Sequence, residues 1–175
     1  MYSTVVDANT YFDGRLYSTV WSAASTPDKT KAMEQATRII DRLNFAGEKH
    51  AAHIVRFGLT GRNDFEISLT LAQQALVSAA GLTQATEFPR GDDTEPQADI
   101  FLACYEIAIA LLDGVNPDEE FNDLGVVSEG YSSVRTTYDR TTVPEHTNAG
   151  IPSATAWRYL KPYLRSGHGV KLSRV

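Results

Sequence analysis

Apolar side chains return every three or four residues over much of this chain, and that rhythm predicts helices. Over residues 7–16, Ala8, Tyr11, Phe12 and Leu16 fall at helical spacing behind Asp7, a residue suited to an N-cap. Trp21 follows in a Ser/Ala-rich connection. Thr26 reads as the cap of a second helix, with Pro27 at the first helical position and Asp28 complementing the positive end of the dipole. Ala32, Met33, Ala36, Ile39, Ile40 and Leu43 then form its stripe, and Asn44 and Gly47 supply stop signals. The widest stripe runs over 95–112: Ile100, Phe101, Ala103, Cys104, Ile107, Ala108, Leu111 and Leu112 suit a central buried helix, with Thr94 and Gln97 at capping-box spacing and Gly114 as its stop.

The rhythm is weaker elsewhere. Gly58 and Gly61 interrupt 45–90, where a helix is expected over 65–80, with Leu69, Ala72, Ala75, Leu76 and Ala79 on one face and Gly81 ending it. After Gly114 the character changes. Residues 125–139 read as strand, Glu129-Gly130 turn and strand, with Val134, Thr136 and Tyr138 alternating on one face. A polar loop leads to a short helix from Pro152-Ser153 that carries Ala156, Trp157, Leu160 and Leu164, then to a tail with Gly167 and Gly169. The expected fold class is mainly α: a small helical bundle around a central buried helix, with a β-hairpin and a C-terminal helix and tail. The expected division is a helical core over 1–123, hairpin and loop over 124–150, and a C-terminal helix and docking tail over 151–175.

Composition adds limits. With 175 residues, 42% hydrophobic and 22% charged, the chain can bury a real core. It lacks an apolar run long enough for a membrane span, and its start lacks the basic region of a secretory signal. One cysteine permits no intrachain disulfide, so synthesis in a cytoplasm is expected. The net charge of −6 argues against a protein that mainly grips phosphates. The charge is uneven, however. Between Arg90 and Arg135 only acids occur, whereas from Ser153 onward only Arg158, Lys161, Arg165, Lys171 and Arg174 are charged. Such asymmetry suits self-complementary surfaces or a docking tail.

Candidate chemistry is thin. His50 and His53 share one helical face near Glu48, but Cys104, His146 and His168 add no zinc-ligand spacing. Asp118, Glu120 and Asn122 alternate as in a calcium loop, yet its glycine and distal glutamate are missing. Arg90-Gly91-Asp92 matches an adhesion tripeptide of a length that recurs by chance. Cys104 lies within an apolar stripe and reads as core. Nucleophile elbow, Walker loop and dinucleotide fingerprint are all missing. No catalytic residue, metal or cofactor is therefore expected, and the chain is not expected to be an enzyme.

The order of features resembles a family. Residues 7–12 (DANTYF), 31–45 (KAMEQATRIIDRLNF), 87–90 (EFPR), 96–114, 126–139 (VVSEGYSSVRTTYD) and 151–164 (IPSATAWRYLKPYL) are similar, in this order, to segments of the tailed-bacteriophage head–tail connector (adaptor) proteins. That group is in part labelled putative DnaT-like single-stranded-DNA-binding proteins. Phe88 stands where the family more usually has Trp, and 48–85 is longer than the family pattern. The resemblance implies a virion neck protein: a mostly helical subunit in a homo-oligomeric ring of about twelve copies below the portal. It implies the portal and tail or further neck proteins as partners, with DNA passing through but not tightly bound. The candidate partner interface is Tyr131, Val134, Tyr138, Trp157, Arg158, Tyr159, Leu160, Lys161, Tyr163, Leu164, Arg165, Lys171 and Arg174. The candidate acidic lining of the DNA channel is Asp92, Asp93, Glu95, Asp118, Glu119 and Glu120. The alternative is a single-stranded nucleic-acid-binding protein that stacks bases on Trp157, Tyr159 and Tyr163 beside the basic C-terminus.

Overall fold

Thr4 opens the first helix, α1 (Val5–Asp13), through a capping box: its hydroxyl accepts from the Asp7 N–H, and the Asp7 carboxylate accepts from the Thr4 N–H. Asp7 is thus the third helical residue, and the cap lies three positions earlier than the sequence suggested. The computed structural model describes residues 1–60, 69–119, 126–128, 137–138 and 144–165. Among them the fold is mainly helical. α2 (Thr19–Ala23) is one short turn of helix where a connection was expected, and it exists to bury Trp21. α3 (Thr26–Ile40) is capped by Ser25, whose hydroxyl accepts from the Asp28 N–H, so Thr26 is already helical. α4 (His50–Thr60), α5 (Leu71–Thr83) and α6 (Ala98–Leu112) follow. α6 starts later than the expected 95, because Pro96 disfavours helical geometry at Glu95 and Gln97 becomes the N-cap. Two short strands, β1 (Val126–Ser128) and β2 (Thr137–Tyr138), pair antiparallel, Val126 opposite Tyr138 and Ser128 opposite Thr137, with an irregularity between. The expected turn at Glu129-Gly130 lies outside the described residues. α7 (Glu145–Asn148), α8 (Ala154–Leu160) and a 3-10 turn (Lys161–Tyr163) complete the order.

The chain groups into two compact units, and both are discontinuous. The first joins Met1–Arg42 to Gln97–Leu160, and the second joins Leu43–Pro96 to the chain from Lys161 onward. The expected boundaries lie at 123 and 150; these units instead change over at 42/43, 96/97 and 160/161 along the chain.

In the first unit α6 packs against α2, α3 and α8, and α1 packs on α3. Residues 103–108 of α6 are buried without a break, so this stretch is enclosed on all sides. Ala32, Met33, Ala36, Ile39 and Ile40 of α3 face inward, as their spacing predicts. Phe12 stacks on Trp21 with centroids 4.5 Å apart, and the indole N–H donates to Asn9 Oδ1 at 2.9 Å, so the buried ring keeps its polar atom satisfied.

In the second unit α4 packs on α5. The buried residue of α5 is Val77, with Gln73, Ala80, Gly81 and Gln84 half-buried on the same arc. The expected face of Ala72, Ala75, Leu76 and Ala79 is exposed instead. Gly81 does not end the helix. It lies inside it, where an added Cβ would come 3.4 Å from Ala52 Cβ, so its missing side chain permits the close approach of α4.

Candidate functional site

Several segments that carry the family resemblance converge in the second unit. Phe45 and Phe88 are both buried and meet edge to face at 4.7 Å, and Phe88 meets Tyr163 in the same manner at 6.0 Å. The backbone around Phe45 pairs with the end of the chain: Ala46 N–H donates to Tyr163 O at 2.8 Å, Arg165 N–H donates to Asn44 O at 2.9 Å, and Phe45 bridges Leu164. Arg90 closes the assembly. Its guanidinium donates to the carbonyls of Ala46 (2.9 Å), Gly47 (2.6 Å) and Phe45 (3.4 Å) and to the Glu87 carboxylate (2.7 Å). The planar fork of Arg suits this multiple capture better than a Lys would. These contacts occupy Arg90, which accounts for the aromatic-Pro-Arg run as a structural staple and leaves little of it for an adhesion tripeptide.

Tyr163 and Leu164, two candidate interface residues, therefore have partners within their own chain. Trp157, expected to anchor the C-terminal helix in an apolar pocket, is only half-buried, and its indole N–H donates to Glu145 Oε2 at 3.3 Å. The buried anchors of α8 are Ala156 and Leu160. The expected single face of Trp157, Leu160 and Leu164 does not form, because α8 ends at Leu160 and Pro162 sits in a 3-10 turn. Arg158, Lys161 and Arg165 are exposed, and Tyr159 is half-buried. The strand pairing contains Tyr138, whereas Tyr131, Val134, Lys171 and Arg174 lie outside the described residues.

The candidate acidic residues are divided. Asp92, Asp93 and Glu95 belong to the second unit, and Asp118 and Glu119 to the first; all five are exposed, and Glu120 lies outside the described residues. Glu106, which the sequence groups with this acidic run, is instead buried in α6. Its carboxylate accepts from Tyr11 Oη at 2.6 Å and from Arg15 Nη2 at 2.7 Å. Burial, followed by the Glu106 hydrogen bond, pushes the Tyr11 hydroxyl above its ordinary value. The signal was available: Glu106, between Tyr105 and Ile107 in the apolar run from Ile100 to Leu112, has no solvated face to occupy. An open cleft beside it, of about 360 Å³, is lined by Arg15, Tyr17, Asp113, Ser153 and Thr155 among others.

Within the second unit, His53 lies between two carboxylates, with Nε2 3.0 Å from Asp92 Oδ1 and Nδ1 3.5 Å from Glu48 Oε1. His50 Nδ1 is 2.9 Å from Gly91 O. Among the described residues these groups do not assemble into a metal-binding cluster. Cys104 is buried, and burial pushes its thiol up to about 12. No described helix is long and apolar enough to cross a membrane. Comparison with family models, curated proteins and solved structures finds no match for this chain.

Proposed function

We propose that this chain is a structural head–tail connector subunit of a tailed bacteriophage, assembling as a ring below the portal and forming part of the DNA channel. It is a virion neck protein in this reading, made in the host cytoplasm, acting in genome ejection by guiding DNA without chemistry. The finer architecture belongs to the same proposal: α6 is the central helix of a small bundle, the strands belong to a hairpin, and the last residues form a docking tail. The observation that carries the reading is the exposure of large apolar side chains on both units, Leu16 and Tyr17 on the first and Leu71, Leu76 and Leu82 on the second. A subunit that functions alone has little use for such surface, whereas an assembling one covers it with neighbours. Exposed Arg158, Lys161 and Arg165 against exposed Asp118 and Glu119 offer complementary rims that orient such contacts.

The rival reading, a single-stranded nucleic-acid-binding protein, has less support from the same residues. Of its three stacking aromatics, Trp157 is hydrogen-bonded to a carboxylate that repels phosphate, and Tyr163 packs on Phe88. The deciding experiment is microscopy of the purified chain, alone and with the portal protein of its own phage. A closed ring on the portal, lost on deletion of the tail 166–175, is the expected result; 153–165 stays, because it holds the buried Ala156 and Leu160 and the contact of Tyr163 with Phe88. A chain that assembles no ring with portal yet binds single-stranded DNA far more tightly than the 10⁻⁴ to 10⁻⁶ M order of non-specific binding would overturn it.

A further inference from the structure

The outer face of α5 has an order that reads alike in both directions. One arc of the helix, with Val77 at its centre, packs towards α4, where Gly81 meets Ala52. At 100° per residue the opposite arc carries Leu71, Ala75, Ser78 and Leu82. Their spacing of four, three and four residues is that of a heptad seam. All four are exposed, Leu71 and Leu82 each at 86%. Charge is missing as well: between Glu66 and Glu87 the sequence has no Asp, Glu, Lys, Arg or His. A solvated helix face normally carries charge, and this one has none.

We propose that a second copy of this chain covers this face, through an antiparallel α5–α5 contact about a two-fold axis between Leu76 and Val77. In that register Leu71 of one copy meets Leu82 of the other, and Ala75 meets Ser78. Large side chains close the two ends, and small ones at the crossing bring the helix axes towards the short end of the 8–10 Å range. Self-complementarity is the property an isologous contact requires and other partners do not. Charge points the same way, since a neutral face meets itself without repulsion and a charged partner would lose solvation against it. An anionic membrane is disfavoured because the face carries no basic residue. A helix of 13 residues is about 20 Å long, and its seam is smaller than the ~800 Å² per partner of a stable interface, so this contact alone gives a weak dimer. Ring closure uses heterologous contacts, for which Leu16, Tyr17 and Leu76 remain exposed outside this seam, so the pairing stands or falls separately from the connector reading.

The register is tested by disulfide trapping in the full chain. Ala75→Cys and Ser78→Cys variants are prepared separately and mixed under a mild oxidant; Cys104 is buried and does not compete. The mixed disulfide is expected to exceed either homodisulfide several-fold. Equal yields, or no cross-link at about 100 µM chain, overturn the proposal. Sedimentation equilibrium supplies the second measurement. The parent is expected to show a dimerisation step, and Leu71→Glu with Leu82→Glu is expected to remove that step, whether or not larger rings persist, while helical circular dichroism stays unchanged. A parent that sediments as a monomer at the same concentration, or binds neutral vesicles through this face, also overturns it. Rings without the mixed disulfide refute this contact and leave the connector reading standing, whereas the mixed disulfide in a chain that forms no rings does the reverse.

Discussion

α5 and α6 look alike as sequences: each is an Ala- and Leu-rich helix with little or no charge. Their surroundings differ. α6 is enclosed over 103–108, so thoroughly that Glu106 must be satisfied by Tyr11 and Arg15, whereas α5 buries Val77 and exposes three leucines. Apolar composition therefore does not by itself say which helix its own subunit encloses. Local polar detail is more informative. α6 carries a fully buried carboxylate, Glu106, with matched donors on α1 and the loop after it, the sign of a helix completed within its own subunit. α5 has no such internal commitment on its outer arc.

The largest expected effect sharpens this contrast. Trp21→Ala removes a ring stacked on Phe12 inside the α6 core and is expected to cost about 4 kcal/mol in urea unfolding. Leu82→Ala, though it also deletes a large apolar side chain, is expected to move the isolated subunit by less than about 0.5 kcal/mol. Equal losses at the two sites would break the comparison. Next comes Glu106→Ala, which removes the buried partner of the half-buried Tyr11 and Arg15. Removing one partner of a buried pair costs about 3–5 kcal/mol, and because Arg15 is about a third exposed the expected loss is nearer 2–3 kcal/mol. An unchanged midpoint would show that Glu106 contributes no net stability.

The core of α3 was legible because its charged residues fall out of phase with the apolar ones and fix the buried arc, and that of α6 because its apolar stripe is too wide for a single arc. Phase was lost on α5 for lack of contrast: with no charge between Glu66 and Glu87, nothing in the spacing chooses between the arc of Val77 and the arc of Leu71. Caps were misplaced at Asp7 and Thr26 because several residues in each stretch can cap, and only geometry chose Thr4 and Ser25. The role of Phe45, Phe88 and Arg90 was visible as a resemblance but not as a contact, since they come together over more than forty residues of chain. Trp157 was given the anchor role that belongs to Leu160, because the 3-10 turn at Pro162 breaks the face that joined it to Leu164.

Cys104 offers a smaller test. Its thiol is enclosed in the α6 core and pushed up to about 12, whereas an unfolded chain titrates near 8.5. The folded form therefore holds its proton longer, and the stability of the first unit is expected to decline as pH rises from about 8.5 towards about 12. At pH 8 a thiol reagent should modify Cys104 only as fast as the first unit opens, and a cysteine placed at Leu82 should react at once. Prompt labelling of Cys104 in the native protein would place it outside the core.

The smallest effect separates the helices by the chemistry of their caps. α1 and α3 hold their N-termini with carboxylates: Asp7 accepts from the Thr4 hydroxyl at 2.6 Å, and Asp28 accepts from the Ser25 hydroxyl at 2.6 Å. Those hydrogen bonds hold both carboxyls below the usual aspartate range. A group whose folded value is lowered adds stability above its unfolded value, near pH 4, and that stability is lost as pH falls through the lowered value. α5 is capped by a neutral box instead, in which Gln73 Oε1 accepts from both the Thr70 N–H and its hydroxyl at 3.0 Å. Between pH 5 and about 2 the first turns of α1 and α3 are therefore expected to lose amide-exchange protection, while the first turn of α5 keeps its own relative to the rest of that helix. Asp7→Asn and Asp28→Asn should remove the pH dependence without removing the caps, because an amide oxygen still accepts. If α5 frays in step with α1 and α3, the carboxylates are not the cause, and global acid unfolding explains all three.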